Sequence, residues 1–364
     1  MQIQNPHTEL KSTRGGAMSD KYFFSSLTRI SDLESRPFTV QAIPRPQWAT
    51  GDYVVGIVIP PVNVGCQVEL TTGRMAKLLE GDRVVGAFGV RRATLEAVGD
   101  WQSIDADGRM DDLTNAGFFG RMTSRSFFQG APPALVYEGH VLRQGQKVCM
   151  SDFLPALPPK AYTCPTILII GTSMSAGKST TARVIIRVLK QMGLKVVGAK
   201  FTGAGRYRDI LTMWDAGADR IFDFVDAGLP SSVVPPESFR QSLRYLLTRI
   251  AHESPDVVVA EAGASPFEPY NGSIVMEELQ AQICCTVLCA SDPYAVIGVT
   301  QAFGVQPDFI SGAATSTSSG VQLVETLAKV PALTLPAAES LTQLTEILKT
   351  KLPLSLIQPS TIRS

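Results

Sequence analysis

Histidine is scarce in this chain: His7, His140 and His252 are the only three, far apart and in no metal-like spacing. That argues against a histidine-rich zinc centre and against a Ser-His-Asp hydrolase. Cysteine is sparse too, six in all, with no Cys-x-x-Cys pair. Cys284, Cys285 and Cys289 share one apolar run, while Cys66, Cys149 and Cys164 stand alone. Reduced core thiols and a cytoplasmic setting are therefore expected, not a disulfide scaffold. Excess charge is missing: 33 Lys plus Arg balance 33 Asp plus Glu. No global field favours nucleic acid or an anionic membrane, and neither is expected as a partner. Long apolar runs are absent as well. Nothing approaches the roughly 18 residues needed to cross a bilayer, and the polar opening residues make no signal peptide.

What is present suffices for buried cores: 45% hydrophobic and 18% charged residues over 364, a length suited to two domains. Leu154–Pro165 carries four prolines and reads as a stiff linker. The expected layout is an extension over 1–25 (with a second possible start at Met18), a β-rich domain over 26–154, and a linker over 155–165. An α/β domain over 166–352 and a tail over 353–364 complete it. Before the linker, short β-prone runs at 39–43, 52–59, 66–70, 83–90 and 133–139 suggest a partly closed barrel. After it, apolar strands at 166–171, 194–201, 256–263, 283–290, 308–312 and 332–335 alternate with helical patterns. Those patterns cover Lys178–Met192, Pro236–His252, 293–303, 319–329 and 338–351. Repeated βα units predict a mostly parallel sheet covered by helices on both faces, which binds ligands beyond the carboxyl ends of its strands.

The strongest chemical signal is GTSMSAGKST, Gly171–Thr180, lying between the first of these strands and its helix. Gly171, Thr172, Ser173, Met174, Ser175, Ala176, Gly177, Lys178, Ser179 and Thr180 together form a candidate nucleotide-binding loop. A polyphosphate needs many donors and little bulk, which backbone amides feeding a helix N-terminus supply. Gly177 lets the backbone approach, Lys178 reaches toward the terminal phosphates, and the Ser179 hydroxyl suits Mg²⁺. Five residues separate Gly171 from Gly177, so Thr172 occupies the place of the usual first glycine. A chance glycine-rich turn is the alternative, and the strand–loop–helix context argues against it.

That layout resembles dethiobiotin synthetase and its relatives, a branch of the P-loop NTPases of the SIMIBI superfamily. The resemblance spans about 165–350 and implies a P-loop NTPase domain, here preceded by a smaller mostly-β domain without counterpart in that family. It implies that Lys200, in VVGAKFTGAG, contacts phosphate and substrate. It also implies that Glu261, in VVVAEAGAS, helps to hold Mg²⁺, with Ala262 and Ala264 standing where the family has glycines. An aspartate completes the metal shell in the family; Asp209, Asp215 and Asp219 compete for that role, with Asp215 preferred. The family's base-binding asparagine is missing, and DFISGAATST (308–317) offers Ser311 instead. The segment 215–232 resembles one in uncharacterised phosphate-loop proteins with a β-rich front domain.

Lys178, Lys200 and Glu261 are thus the catalytic candidates, and Ser179, Asp215 and Glu261 the metal candidates. Thr202, Gly203 and Arg206 are the substrate candidates in the loop after Lys200. Arg208, like Arg206, reads equally as a contact for an anionic substrate or as solvated charge, and the pair Arg91-Arg92 reads as solvated charge. Asp292-Pro293 reads as a helix cap, 105–112 as a hairpin turn, and Asn271-Gly272-Ser273 as a turn. The absence of an Asn-Lys-x-Asp signature favours ATP over GTP. Thr172 stands where sandwich-dimer ATPases carry an extra lysine, so such a dimer is disfavoured while a homodimer stays open. The first functional hypothesis is a Mg-ATP-dependent, ligase- or kinase-like enzyme activating a small carboxylate or carbamate. Two others stay open: a nucleotide-dependent switch or cofactor-maturation NTPase acting on a protein client, and an enzyme binding a non-ATP phosphate ligand or acyl carrier.

Overall fold

The computed structural model describes residues 21–62, 65–263, 265 and 267–357. Expectations for 1–20, Met18 among them, and for 358–364 lie outside the described residues.

Six parallel strands organise the second half of the chain. Numbered within this sheet, they are β1 (Thr166–Gly171), β2 (Val196–Thr202), β3 (Arg220–Asp223), β4 (Val257–Ala262), β5 (Ile283–Cys289) and β6 (Phe309–Ser311). Their spatial order is β3-β2-β4-β1-β5-β6. The connecting helices are α1 (Lys178–Gln191), α2 (Tyr207–Asp215), α3 (Pro236–Glu253), α4 (Gly272–Leu279), α5 (Pro293–Phe303), α6 (Ser318–Ala328) and α7 (Ala338–Lys351). The run TILIIG makes β1 because a central strand is buried on both faces and needs no polar alternation. Ile167 and Ile169 join the cluster under α1, α2 and α7, whereas Leu168 and Ile170 join the one under α3 to α6. Helix α1 seats Ala182, Ile185, Ile186 and Leu189, all fully buried, on the first face. Each of its larger aliphatic side chains contributes roughly 1.5–3 kcal/mol, an upper bound since the unfolded chain is itself partly collapsed. This is the expected α/β architecture, a parallel sheet covered by helices on both faces.

The first half is a β structure that closes on itself. Arg83–Phe88, Tyr53–Val58, Ala134–Arg143, Arg109–Asp112 and Phe118–Arg125 pair in sequence, and the last returns to pair in parallel with the first. That ring removes the sheet edges a small β domain would otherwise expose. The buried His140 donates to or accepts from the Tyr137 hydroxyl at 2.6 Å, and its other nitrogen lies 3.3 Å from Asp52. It is a buried core residue with a polar neighbour at each ring nitrogen.

Several expectations need correction. The β-rich part reaches back to Tyr22–Phe24, a strand paired with Arg83–Val85, so 21–25 belong to it. Residues 332–335 form no strand; Ala332 makes a single bridge to Ile310. The 105–112 segment is a turn that continues into the strand Arg109–Asp112. Arg91 is not solvated: it is 5% exposed and paired with Glu96. Asn271 opens a helix, its side chain donating to the Ser232 and Val234 carbonyls. In the expected tail, Leu354–Ile357 is helical. Residues 155–165 do form an extended connection, pinned to α3 by Tyr245 and His252. Among the described residues, no helix is long and apolar enough to cross a membrane.

Candidate phosphate site

Strand β1 ends at Gly171 and α1 begins at Lys178, leaving a tight loop at the centre of the sheet's carboxyl edge. Gly177 caps α1 with a φ of +102°, and a Cβ there would stand 2.9 Å from the Gly312 Cα. Gly312, after β6, has a φ of +99°, and its own Cβ would come within 2.0 Å of the Ala176 carbonyl oxygen. The loops after β1 and β6 therefore interlock, and a side chain at either position forces them apart. Thr172 explains the departure from a first glycine. Its amide donates to the Cys289 carbonyl at 3.0 Å and its hydroxyl accepts from the Ser291 amide at 2.9 Å, tying the loop to the end of β5.

Lys178 is 2% exposed, and its ammonium donates to the carbonyls of Ser173 at 2.6 Å and Met174 at 3.5 Å. Its stem lies over Gly171, where a Cβ would meet Nζ at 2.8 Å. Burial pushes the Lys178 pKa down, opposed by the charge of Glu261. The Ser179 hydroxyl donates to Glu261 Oε2 at 3.1 Å. Sheet register sets Glu261 beside Ile169 of β1 and Lys200 of β2. Lys200 bonds Asp209, in the first turn of α2, at 2.5 Å. Burial works against its charge, but Asp209 and then Glu261 outweigh it, so its pKa is raised. Burial also opposes the Asp209 carboxylate, yet Lys200 holds it below the usual aspartate range. Two ammonium groups thus flank one buried carboxylate at the strand ends, which is where charge on transferring oxygens would be met.

The structure brings together Lys178, Ser179, Lys200 and Glu261 and sets other candidates aside. Asp215 is exposed at the far end of α2, and Asp219 pairs with Lys190 at 2.7 Å. Asp209 is the aspartate at the site. Thr202 is fully buried and donates to the Gly263 carbonyl, and the Gly203 amide donates to Ser232, so both serve the loop's shape. The Ser311 hydroxyl is spent on the Leu333 carbonyl. Arg206 points to the barrel, its Nε donating to the Thr114 carbonyl at 3.2 Å. Ser175 in the loop and Thr180 in the first turn of α1 are exposed.

Ser179 and Glu261 form an all-oxygen donor pair of the kind a hard divalent cation takes. No group of three acidic, histidine or cysteine residues gathers among the described residues. The Ser179–Glu261 pair suits Mg²⁺, which takes one or two protein ligands and keeps water and phosphate oxygens for the rest.

No family model matches this chain, and no curated protein matches it. Solved structures do. The hydrogenase maturation factor HypB from Archaeoglobus fulgidus is 14% identical with a TM-score of 0.37, over 52% of this chain and 90% of that one. Chloroplast FtsY from Physcomitrella patens is 16% identical with a TM-score of 0.35, over 54% and 67%. A ParA family ATPase from Chlorobium tepidum is 14% identical with a TM-score of 0.31, over 53% and 97%.

Proposed function

We propose that this chain is a Mg-ATP-dependent enzyme that transfers a phosphoryl group to a small carboxylate-type acceptor. The observation that carries the reading is the meeting of Lys178, Lys200 and the Ser179–Glu261 pair around one phosphate loop. In the step, an ionised carboxylate oxygen attacks the γ-phosphorus as the bond to the β–γ bridging oxygen breaks. The electron pair leaves with ADP, an acyl phosphate forms, and no proton changes hands. Lys178 releases the loop carbonyls and Lys200 turns from Asp209 toward the transferring oxygens, where they offset the spreading charge. Ser179 and Glu261 would hold Mg²⁺, which supplies charge neutralisation at the phosphates. The lack of a guanine signature supports ATP. The acceptor is small because the loops beyond β2 are occupied by the barrel: Gly205 accepts from Thr114, and Ser231 donates to the Val90 carbonyl. These features support reading the chain as a dethiobiotin synthetase-like NTPase.

The test is ADP formation across a panel of small acids. Lys178→Ala should abolish ATP binding. Glu261→Gln should keep binding and lose turnover by about 100-fold, the scale seen when a group acting on the transition state is removed. Unchanged turnover in either variant refutes the assignment. Slow turnover that ignores small acids and rises with a protein fraction would instead indicate a switch.

A further inference from the structure

A polar cavity of about 200 Å³ lies where the barrel meets the loop after β2. Arg91 and Arg125 from the barrel and Arg206 from the NTPase domain line it, with Thr114 and Asn115 beside them. The guanidinium groups of Arg91 and Arg206 repel each other there, an arrangement that costs stability unless an anion completes it, and the exposed Arg125 lines the same space. The local carboxylates do not do so fully. Asp112 also lines the cavity, but it spends both oxygens on the backbone amides of Thr114, Gly117 and Phe118. Glu96 takes one nitrogen of Arg91, and the Leu113 carbonyl takes another. The third, Nε of Arg91, is buried without an acceptor, although the residue is only 5% exposed. Arg206 and Arg125 have no ion-pair partner among the described residues. A buried guanidinium donor left unmade is costly, and carboxylates answer it with two parallel hydrogen bonds.

We propose that this arginine-lined cavity binds a small organic acid by its carboxylate. At about 200 Å³ it is smaller than the roughly 300–1,000 Å³ of pockets for drug-sized ligands, and it suits a short acid. Leu113, Met122 and Pro132 supply an apolar wall for a short aliphatic stem. One residue links the cavity to the candidate phosphate site: Arg206 lies three residues before Asp209, the partner of Lys200, and its charge acts on Asp209. The role of this acid as the phosphoryl acceptor rests on the proposed function; its binding does not.

The experiment measures binding of acetate, succinate and glutarate by calorimetry in the absence of nucleotide, with inorganic phosphate as a second probe. At least one acid should bind the wild type and the Lys178→Ala variant alike. Arg206→Gln should weaken that binding roughly tenfold or more, a loss of about 1.4 kcal/mol. Arg125→Gln, an exposed position, keeps the test readable should Arg206→Gln fail to fold, and should weaken the acid in the same direction. Phosphate binding that disappears in Lys178→Ala reports the phosphate loop and leaves acid binding as a separate readout. The proposal is overturned if no acid binds, or if acids bind both arginine variants as well as the wild type. Acid binding without ATP binding would sustain the cavity and sink the nucleotide reading; ATP turnover without acid binding would do the reverse.

Discussion

The 2.5 Å contact between Lys200 and Asp209 decides how the charges at the candidate site are held. A buried lysine without a partner gives up its proton; here the partner keeps it charged. Because Asp209 is held below its ordinary 3.8, its contribution to stability is present above the unfolded pKa and lost as pH falls through the lower folded value. Lys200 is raised above 10.5, so its contribution is present below that value and lost as pH rises through the higher folded one. Asp209→Asn should therefore lower the unfolding temperature by a constant amount between about pH 5 and 9, with the gap closing toward pH 3. Thermal melts across that range check it, and a gap that widens in acid contradicts the pairing. The sequence made Lys200 legible through its place at a strand end. It did not distinguish Asp209 from Asp215, because the choice depends on where α2 starts. Six residues of helix separate the two by about 9 Å along the axis, and only the first turn faces the strand ends.

Elements with a strong local signal were readable, and those shaped by tertiary contact were not. Helix α5 begins as its sequence says, Asp292 accepting from the amides of Tyr294 and Ala295 with Pro293 behind it. Asp292→Ala should cost about 1 kcal/mol of unfolding free energy, and Asp292→Asn much less, as urea titration would show; equal losses would mean the cap does not work through its acceptor. Helices α2 and α4 escaped because each is short and buries few residues: Ile210 and Met213 in α2, chiefly Ile274, Val275 and Leu279 in α4. The segment at 332–335 has strand-like residues but only one bridge partner, since β6 is short and Ser311 and Thr315 hold Leu333 by side-chain bonds. Arg91 escaped for a different reason. A charge pair in sequence is normally solvated, and only the fold shows that the barrel turns one member inward.

At the scale of the whole molecule, the two halves share one core and one buried ionic latch. Leu27, Tyr53, Val55 and Phe118 of the barrel pack with Ala204, Phe224 and Val225 of the α/β half. Glu69 accepts from the amides of Tyr207 and Arg208, supplying a carboxylate to the N-terminus of α2. Arg29, 7% exposed, bonds Asp223 at 2.5 Å and Asp226 at 3.3 Å and lies over the Tyr207 ring. These contacts run from the barrel to the loops that carry Lys200, Asp209 and Arg206, so the barrel fixes the geometry of the phosphate site. Arg29→Met should destabilise the protein by about 3–5 kcal/mol, because it leaves Asp223 buried beside Asp226 without a cation. Asp223→Asn added to Arg29→Met should recover part of that loss, since it removes one of the two charges while keeping an acceptor for the Val225 amide. Urea unfolding followed by fluorescence and by far-ultraviolet circular dichroism should give one coincident transition in the wild type, because the shared core couples both halves. If Arg29→Met instead leaves stability unchanged, or if the wild type melts in two separated steps, the barrel is an appended domain and its hold on the acceptor side of the site fails with it.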